Sequence, residues 1–168
     1  MIAQAILPLP ARSALDPRFR LRPFTDEDVP RYAALLASLS PADVRLRFHS
    51  VSAPSDTAAI REALLGDHSL GAVLIESVLS GELLGVSHAA PGHGERRGEF
   101  GVLVVASHRR RGFGGAMADA LLSSMAGRGV TRAEAYTAWE NRPAAALLHS
   151  RGFRPQHVGG GLVRWELG

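Results

Sequence analysis

The stretch "VVASHRRRGFGGAMADALLSSMAGRG", residues 104–129, places three arginines and a glycine-rich turn between an apolar run and a helical pattern. Adjacent like charges and glycines both cost local stability, so their crowding at a helix start points to a ligand. A helix N-terminus offers free N–H groups and the positive end of the helix dipole, and glycines let a phosphate approach closely. The stretch therefore predicts a phosphate site.

The helix itself is predicted over residues 112–126, because apolar residues recur at every fourth position and Gly127 and Gly129 follow. The recurring residues are Phe113, Met117, Leu121 and Met125.

Two phosphate-binding motifs fit poorly. A Walker loop needs a lysine after its last glycine, and this chain has Ala116 there and no lysine at all. A dinucleotide fingerprint needs a third glycine where Met117 stands, although Gly112-x-Gly114 and Glu134 match in part. The antiparallel meander predicted upstream also disfavours a dinucleotide-binding unit.

Upstream of the quoted stretch, we predict a strand, three helices and then a meander of strands. Thr25 is expected to cap the first helix with Asp28, and Ser40 to cap the second with Pro41 in its first position. The third helix is expected over 55–66. The predicted strands are 19–24, 69–77, 83–90 and 98–105, the last with Phe100, Val102 and Val104 on one face.

Downstream, a strand over 131–139, a helix from Asn141 to Gly152 and a strand over 161–167 complete the pattern. The hairpins should be antiparallel, whereas the crossover through helix 112–126 should join parallel strands. The chain is thus predicted to be α/β, with a mixed, mainly antiparallel sheet flanked by helices.

Length and composition indicate one globular domain over residues 18–168, preceded by a loose leader over 1–17. Hydrophobic residues make up 46% and charged residues 21% of the chain. No apolar run reaches the roughly 20 residues of a membrane helix. No basic residue precedes the apolar N-terminal run, which Pro8 and Pro10 interrupt, so we expect a cytoplasmic protein rather than a secreted one.

Several kinds of chemistry are excluded or disfavoured by composition. The chain has no cysteine, which excludes disulfides, thiolate metal sites and an acyl-cysteine intermediate, so acyl transfer would be direct. The histidines lack metal-ligand spacing, so no metal is expected. The net charge is only +3 and the arginines are spread along the chain, so we expect an anionic small molecule and not nucleic acid as partner.

A longer pattern resembles the GNAT superfamily of acyl-CoA-dependent N-acyltransferases over residues 18–167. It combines the Arg-x-x-Gly-x-Gly turn, a preceding apolar strand and the distant "ENRPAAALLHSRGF", residues 140–153. The matching positions are Val104, Arg109, Gly112, Gly114, Asn141, Ala144, Leu147, Gly152 and Phe153.

The resemblance implies acetyl-CoA as co-substrate, bound between strands 98–105 and 131–139, where the parallel pair of the sheet should lie. The turn would hold the pyrophosphate through Arg109, Arg110, Arg111, Gly112, Phe113, Gly114 and Gly115. The strand backbone at Val102, Leu103 and Val104 would bind the pantetheine, and Asn141 would lie beside it.

The resemblance also implies catalytic roles. Glu99 stands where the family often has the glutamate that removes a proton from the acceptor ammonium, although a plain surface carboxylate is the simpler interpretation. Leu148 stands where many members have a tyrosine that protonates the thiolate, so the general acid is left open. His149 should point about 100° away around the helix. Arg45 and Arg47 lie in the helices that usually select the acceptor.

"LSPADVRLRFHS", residues 39–50, together with "ENRPAAALLHSRGF" is similar to the acyltransferase domains of bacterial protein-lysine acetyltransferases. The expected acceptor is therefore an amine, either a protein lysine or a small molecule. Two other functions stay open: a non-catalytic acyl-CoA-binding or regulatory module, and a basic nucleic-acid-binding domain. The oligomeric state is also open, with a homodimer as one alternative.

Overall fold

The computed structural model describes residues 15–168, so residues 1–14 of the predicted leader lie outside the described part. The strands are β1 (Phe19–Pro23), β2 (Gly71–Ser77), β3 (Leu83–Pro91), β4 (Arg97–Val104), β5 (Arg132–Ala138), β6 (Arg154–Gly159) and β7 (Leu162–Leu167). The α-helices are α1 (Val29–Ala37), α2 (Pro41–Phe48), α3 (Thr57–Leu65), α4 (Phe113–Gly127) and α5 (Arg142–Ser150).

These strands form one sheet in the order β1-β2-β3-β4-β5-β7-β6. Each neighbouring pair is antiparallel except β4 and β5, which are parallel. The crossover between the parallel strands runs through α4, as the sequence predicts. The α/β class and the mainly antiparallel mixed sheet with one parallel pair are confirmed.

The parallel pairing of β4 with β5 is short. It joins Arg97 to Arg132, Gly98 to Ala133 and Glu99 to Glu134. Beyond these positions β4 pairs only with β3, and β5 only with β7. The two central strands therefore diverge, and we call the opening between residues 100–104 and 135–138 the splay.

The sheet is covered on both faces. One face packs against α4 through Phe100, Val102 and Val104, which lie on one side of β4 as predicted. We call it the α4 face. The opposite face, the α1 face, carries Leu103 and packs against α1 and α3. Helix α2 contacts β4 and β5, beside the splay.

The helix caps in the structure are those that the sequence predicts at Thr25, Ser40 and Asn141. Thr25 and Asp28 form the predicted capping box, which opens a short 3-10 turn before α1. Ser40 accepts a hydrogen bond from the Asp43 N–H at 3.1 Å, and Asn141 accepts one from the Ala144 N–H at 3.3 Å. The N-cap of α3 is Asp56, which accepts from the Ala58 N–H.

Strand β6 was not predicted. Its sequence, "RPQHVG", contains a proline and three polar residues and lacks apolar alternation, so no period-2 pattern indicates a strand. It lies at the edge of the sheet and pairs only with β7, which explains why a proline is tolerated.

None of the helices in residues 15–168 is long and apolar enough to cross a membrane.

Candidate active site

The turn between β4 and α4 has the backbone of an anion site. Arg110 and Gly112 both adopt left-handed conformations, with φ of 62° and 81°, and α4 starts immediately afterwards. Within the described chain, the backbone N–H groups of residues 113–115 donate no hydrogen bond. Free N–H groups at the positive end of a 15-residue helix favour a bound anion.

The three arginines of the turn differ in their contacts. Arg109 donates from Nε to the carbonyl of Val104 at 3.2 Å and forms an ion pair with Asp43 of α2 at 2.6 Å. Arg111 lies over the ring of Phe19, with its Cζ 6.0 Å from the ring centroid. Arg110 and Arg111 are exposed. All three arginines are thus exposed beside the helix start, and Arg109 also ties α2 to the end of β4.

The glycines of the turn serve two purposes. At Gly112 an added Cβ would meet nothing within 4 Å, so the surface above the turn is open. At Gly114 an added Cβ would lie 2.8 Å from Leu147 Cδ1, and at Gly115 it would clash with the guanidinium of Arg151. Gly114 and Gly115 therefore allow α5 to pack closely on α4, which the sequence did not reveal.

Phe113 presents its backbone, and not its side chain, to the turn. Its side chain is only 2% exposed and packs edge-on against Phe19, with ring centroids 4.8 Å apart. This anchor fixes the first turn of α4 against the sheet and so orients the free N–H groups.

The second part of the cofactor site is predicted at the splay. The edge of β4 that faces β5 has no strand partner from Phe100 to Val104. Val105 donates to the Leu84 carbonyl, so the backbone groups of alternate residues point to β3, and Leu103 has none on the open edge. The backbone groups of Val102 and the N–H of Val104 do face the open edge and can bind an extended arm, whereas the Val104 carbonyl accepts from Arg109 Nε. Asn141 lies at the start of α5, where it serves as the N-cap. An unpaired strand edge that leads toward a helix N-terminus fits a thin chain ending in a pyrophosphate, as in acetyl-CoA.

Glu99 is the last residue of β4 that pairs with β5. Its side chain is half-buried, and it forms no hydrogen bond or ion pair with another residue of the described part. Burial is the main cause that raises the pKa of Glu99, and the charge of Glu134 adds to it. A carboxylate with a raised pKa is a better proton acceptor.

Arg47 reaches the same region from α2. Its guanidinium lies over Gly101, where an added Cβ would come within 2.6 Å of Arg47 Cζ, and its Nη2 is 3.4 Å from His88 Nδ1. Burial, with a smaller contribution from Arg47, lowers the pKa of His88 to about 4, so His88 is neutral at pH 7. Arg45 is exposed and about 200° away around the helix, so the structure does not bring it to Glu99.

Leu148, which stands where many family members have a tyrosine, is buried. Leu148 is 3% exposed and belongs to the core between α4 and the sheet. His149 packs edge-on against Trp165, with ring centroids 5.3 Å apart.

The sequence did not predict roles for Asp43 and His88, and Glu134 was considered only as part of a dinucleotide fingerprint. No local motif marks these three residues, because their contacts join elements distant in sequence.

Among the side chains that the structure describes, no group of three or more histidines, aspartates and glutamates could hold a metal ion.

Comparisons with known proteins agree with this geometry. The family model for the acetyltransferase (GNAT) domain matches residues 18–154. No curated protein sequence matches the chain. Among solved structures, the GNAT domain of S. lividans PAT is similar with a TM-score of 0.76 and 19% identity, over 89% of each chain.

Two further structures contain a cofactor. That of yncA from Salmonella typhimurium, solved with its cofactor acetyl-CoA, has a TM-score of 0.70 and 18% identity over 89% of this chain and 93% of its own. Spermidine N-acetyltransferase from Vibrio cholerae, in complex with CoA and spermine, has a TM-score of 0.69 and 16% identity over 90% and 96%. These likenesses show the fold, and the family model covers most of the chain. The chain therefore belongs to the GNAT family of acetyl-CoA-dependent N-acetyltransferases.

Proposed function

We propose that this enzyme transfers an acetyl group from acetyl-CoA directly to a primary amine, with Glu99 as general base. The observation that carries the proposal is the position of Glu99, half-buried at the point where β4 and β5 diverge. From there its carboxylate can take a proton, through water, from an acceptor that approaches on the α1 face.

The donor site follows from the turn and the splay. The N–H groups of residues 113–115, together with Arg110 and Arg111, would hold the pyrophosphate, and the free edge of β4 would hold the pantetheine arm. Bound acetyl-CoA supplies the acetyl thioester. Backbone N–H groups near Val104 would polarise its carbonyl, as the donors of an oxyanion hole do.

Direct transfer needs only one proton acceptor from the protein. The amine has a pKa of about 10 and must lose a proton before it attacks. A thiol has a usual pKa of about 8.5, so a thiolate is a tolerable leaving group without a proton donor. This explains how an enzyme with the buried Leu148 in place of a tyrosine can still be active.

The acceptor is a lysine side chain of a protein or a small-molecule amine. The similarity to the GNAT domain of S. lividans PAT supports the first class, and the similarity to a spermidine N-acetyltransferase supports the second. Arg47, which lies within hydrogen-bonding reach of His88 and over Gly101, is the residue of the predicted selectivity pair that would face the acceptor.

The test is release of free CoA from acetyl-CoA in the presence of a panel of amines and lysine-containing peptides, with calorimetric binding of CoA measured in parallel. Acceptor-dependent CoA release is expected. Tight CoA binding without release for any acceptor would instead favour the non-catalytic acyl-CoA-binding alternative. Absence of both would refute the proposed donor site.

A further inference from the structure

A second carboxylate lies beside Glu99 on the neighbouring strand. Glu99 and Glu134 are direct partners in the parallel pairing of β4 with β5. Directly paired residues point to the same face of a sheet, and neighbouring strands lie about 4.8 Å apart. The two carboxyl groups therefore share the α1 face at the mouth of the splay.

Glu134 is fixed in place and removed from water. It is 1% exposed, and one of its oxygens forms an ion pair with Arg97. Its other oxygen, Oε2, is buried and accepts no hydrogen bond from the described residues. Burial removes the screening by water, so the part of this charge that Arg97 does not neutralise acts on a neighbouring ionisable group.

We propose that Glu134 is a positioning residue that acts through Glu99: its buried charge makes the Glu99 carboxylate a stronger base toward the acceptor amine. The inference rests on the proposed role of Glu99. It is consistent with the raised pKa of Glu99, which burial causes first and the charge of Glu134 second.

Other charged and titratable groups also face Glu99. They come from β3, the loop between β3 and β4, β4 itself and α2. Three of them, His93, Arg47 and His49, act against Glu134 by favouring the charged form of Glu99. The groups are His88, His93, Arg97, Arg47 and His49. Glu134 is the negative charge that acts on Glu99 in the opposite direction to these groups.

The experiment compares the pH dependence of kcat in the wild-type enzyme and in Glu134→Gln. Arg97 keeps Glu166 as a carboxylate partner at 3.0 Å, which favours folding of the variant. The ascending limb of the profile should move to lower pH, and kcat on the plateau should fall, because a weaker base loses its proton earlier and accepts one less readily. A purely structural role would lower kcat without moving the limb, which would overturn the inference.

Glu166→Gln is the matched control, since Glu166 also contacts Arg97 but pairs with Glu134 and not with Glu99. Its ascending limb should stay where the wild-type limb lies. If Glu134→Gln does not fold, Glu134→Met removes the same charge without leaving a polar group in a buried position, and the same shift is expected.

A second measurement needs no acceptor. The carbon-13 carboxyl signal of Glu99, assigned by its loss in Glu99→Gln, should titrate at lower pH in Glu134→Gln than in the wild type. An unchanged midpoint overturns this inference and leaves the proposed function standing. Wild-type turnover in Glu99→Gln overturns the proposed function, and this inference with it.

Discussion

At the scale of single residues, Glu99 combines partial burial with a position at the mouth of the splay. Glu99→Gln keeps the size and polarity of the side chain but cannot accept a proton. We expect kcat to fall by about 10²-fold or more, the usual scale for loss of a general base. Calorimetry should show nearly unchanged affinity for acetyl-CoA, because the donor contacts come from the turn and the edge of β4.

His149→Ala is the control for that prediction. The ring of His149 packs against Trp165 rather than beside Glu99, so its loss should change kcat little. If Glu99→Gln keeps a kcat near that of the wild type and His149→Ala loses most of its kcat, the histidine and not Glu99 transfers the proton.

Gly112 is the residue at which the turn can be tested with least damage to the fold. Gly112→Asp puts a carboxylate at an open position at the start of α4, where like-charge repulsion should weaken CoA binding by at least about 100-fold. Gly112→Asn is the matched control, since it has the same shape, carries no charge and tolerates the left-handed φ of 81°. Equal calorimetric affinities of the two variants would show that the pyrophosphate binds elsewhere.

The same test at Gly114 would mislead. The sequence places Gly112 and Gly114 together in the turn that is predicted to hold the pyrophosphate. Their surroundings differ, because a Cβ at Gly114 would lie 2.8 Å from Leu147 Cδ1, which would have to move, whereas a Cβ at Gly112 would meet nothing within 4 Å. The motif indicates where glycines occur, but whether a glycine faces a ligand or a packed helix depends on tertiary contacts.

At the scale of elements, the ion pair between Asp43 and Arg109 connects α2 to the phosphate turn. Asp43 and a bound pyrophosphate would both attract Arg109, so Asp43→Asn should free the arginine for the ligand. A partly exposed ion pair is worth up to about 1 kcal/mol, so the affinity for CoA should rise by up to about fivefold.

Calorimetry of Asp43→Asn, Arg109→Gln and the double variant measures this coupling directly. Asp43→Asn should have no effect on CoA affinity when Arg109 is already glutamine. The same gain in both backgrounds would show that Asp43 repels the ligand by itself, without acting through Arg109.

Most helices and strands could be predicted from the sequence, because capping residues and apolar periodicity indicate them locally. The caps at Ser40 and Asn141 and the every-fourth-residue pattern of α4 fixed three helices. Strand β6 could not be read in this way, since its pairing with β7 and not its own pattern makes it a strand. Likewise, the sequence grouped Arg45 with Arg47, whereas the orientation of α2 brings only Arg47 to Gly101 and His88.

At the scale of the whole molecule, the topology followed from one crossover, whereas the opening for the cofactor between strands 98–105 and 131–139 was implied only by the family resemblance. The predicted helix between two strands implied a parallel pair, and the structure contains it. That the pairing ends after Glu99 and Glu134 is a property of the assembled sheet, which no local sequence pattern records. The neighbourhood of the proposed base was therefore hidden until the strands were placed together.

A buried ion-pair network holds the first strands to α1 and sets the acid stability of the molecule. Glu76 is 3% exposed and Asp28 1%, and Arg22 and Arg31 contact both carboxylates. Hydrogen bonding by Arg22 is the main cause that lowers the pKa of Glu76 to about 2, against the opposing effect of burial. Burial also opposes the charge on Asp28, but Arg22 and Thr25 hold the pKa of Asp28 well below its usual value.

Because both carboxyl groups have lowered pKa values in the native protein, the protein should become less stable as the pH falls. The unfolded chain takes up the Glu76 proton near pH 4.5, whereas the native protein does so only near pH 2, so protonation favours unfolding across that window. The contribution of Glu76 to stability is complete above about pH 4.5 and is lost as the pH falls toward 2. Urea denaturation between pH 7 and pH 2.5 should show this loss.

Glu76→Gln tests whether the network causes the loss. At pH 7 the variant should be less stable by about 3 kcal/mol or more, because three arginines, Arg20, Arg22 and Arg31, lose a buried carboxylate partner. The difference in the free energy of unfolding between the variant and the wild type should become smaller as the pH falls, because the wild type then loses the same charge. Glu82→Gln, at an exposed position, should behave like the wild type throughout. A stability difference that stays constant from pH 7 to pH 2.5 would mean that the Glu76 carboxylate stabilises the fold by packing and not by its charge.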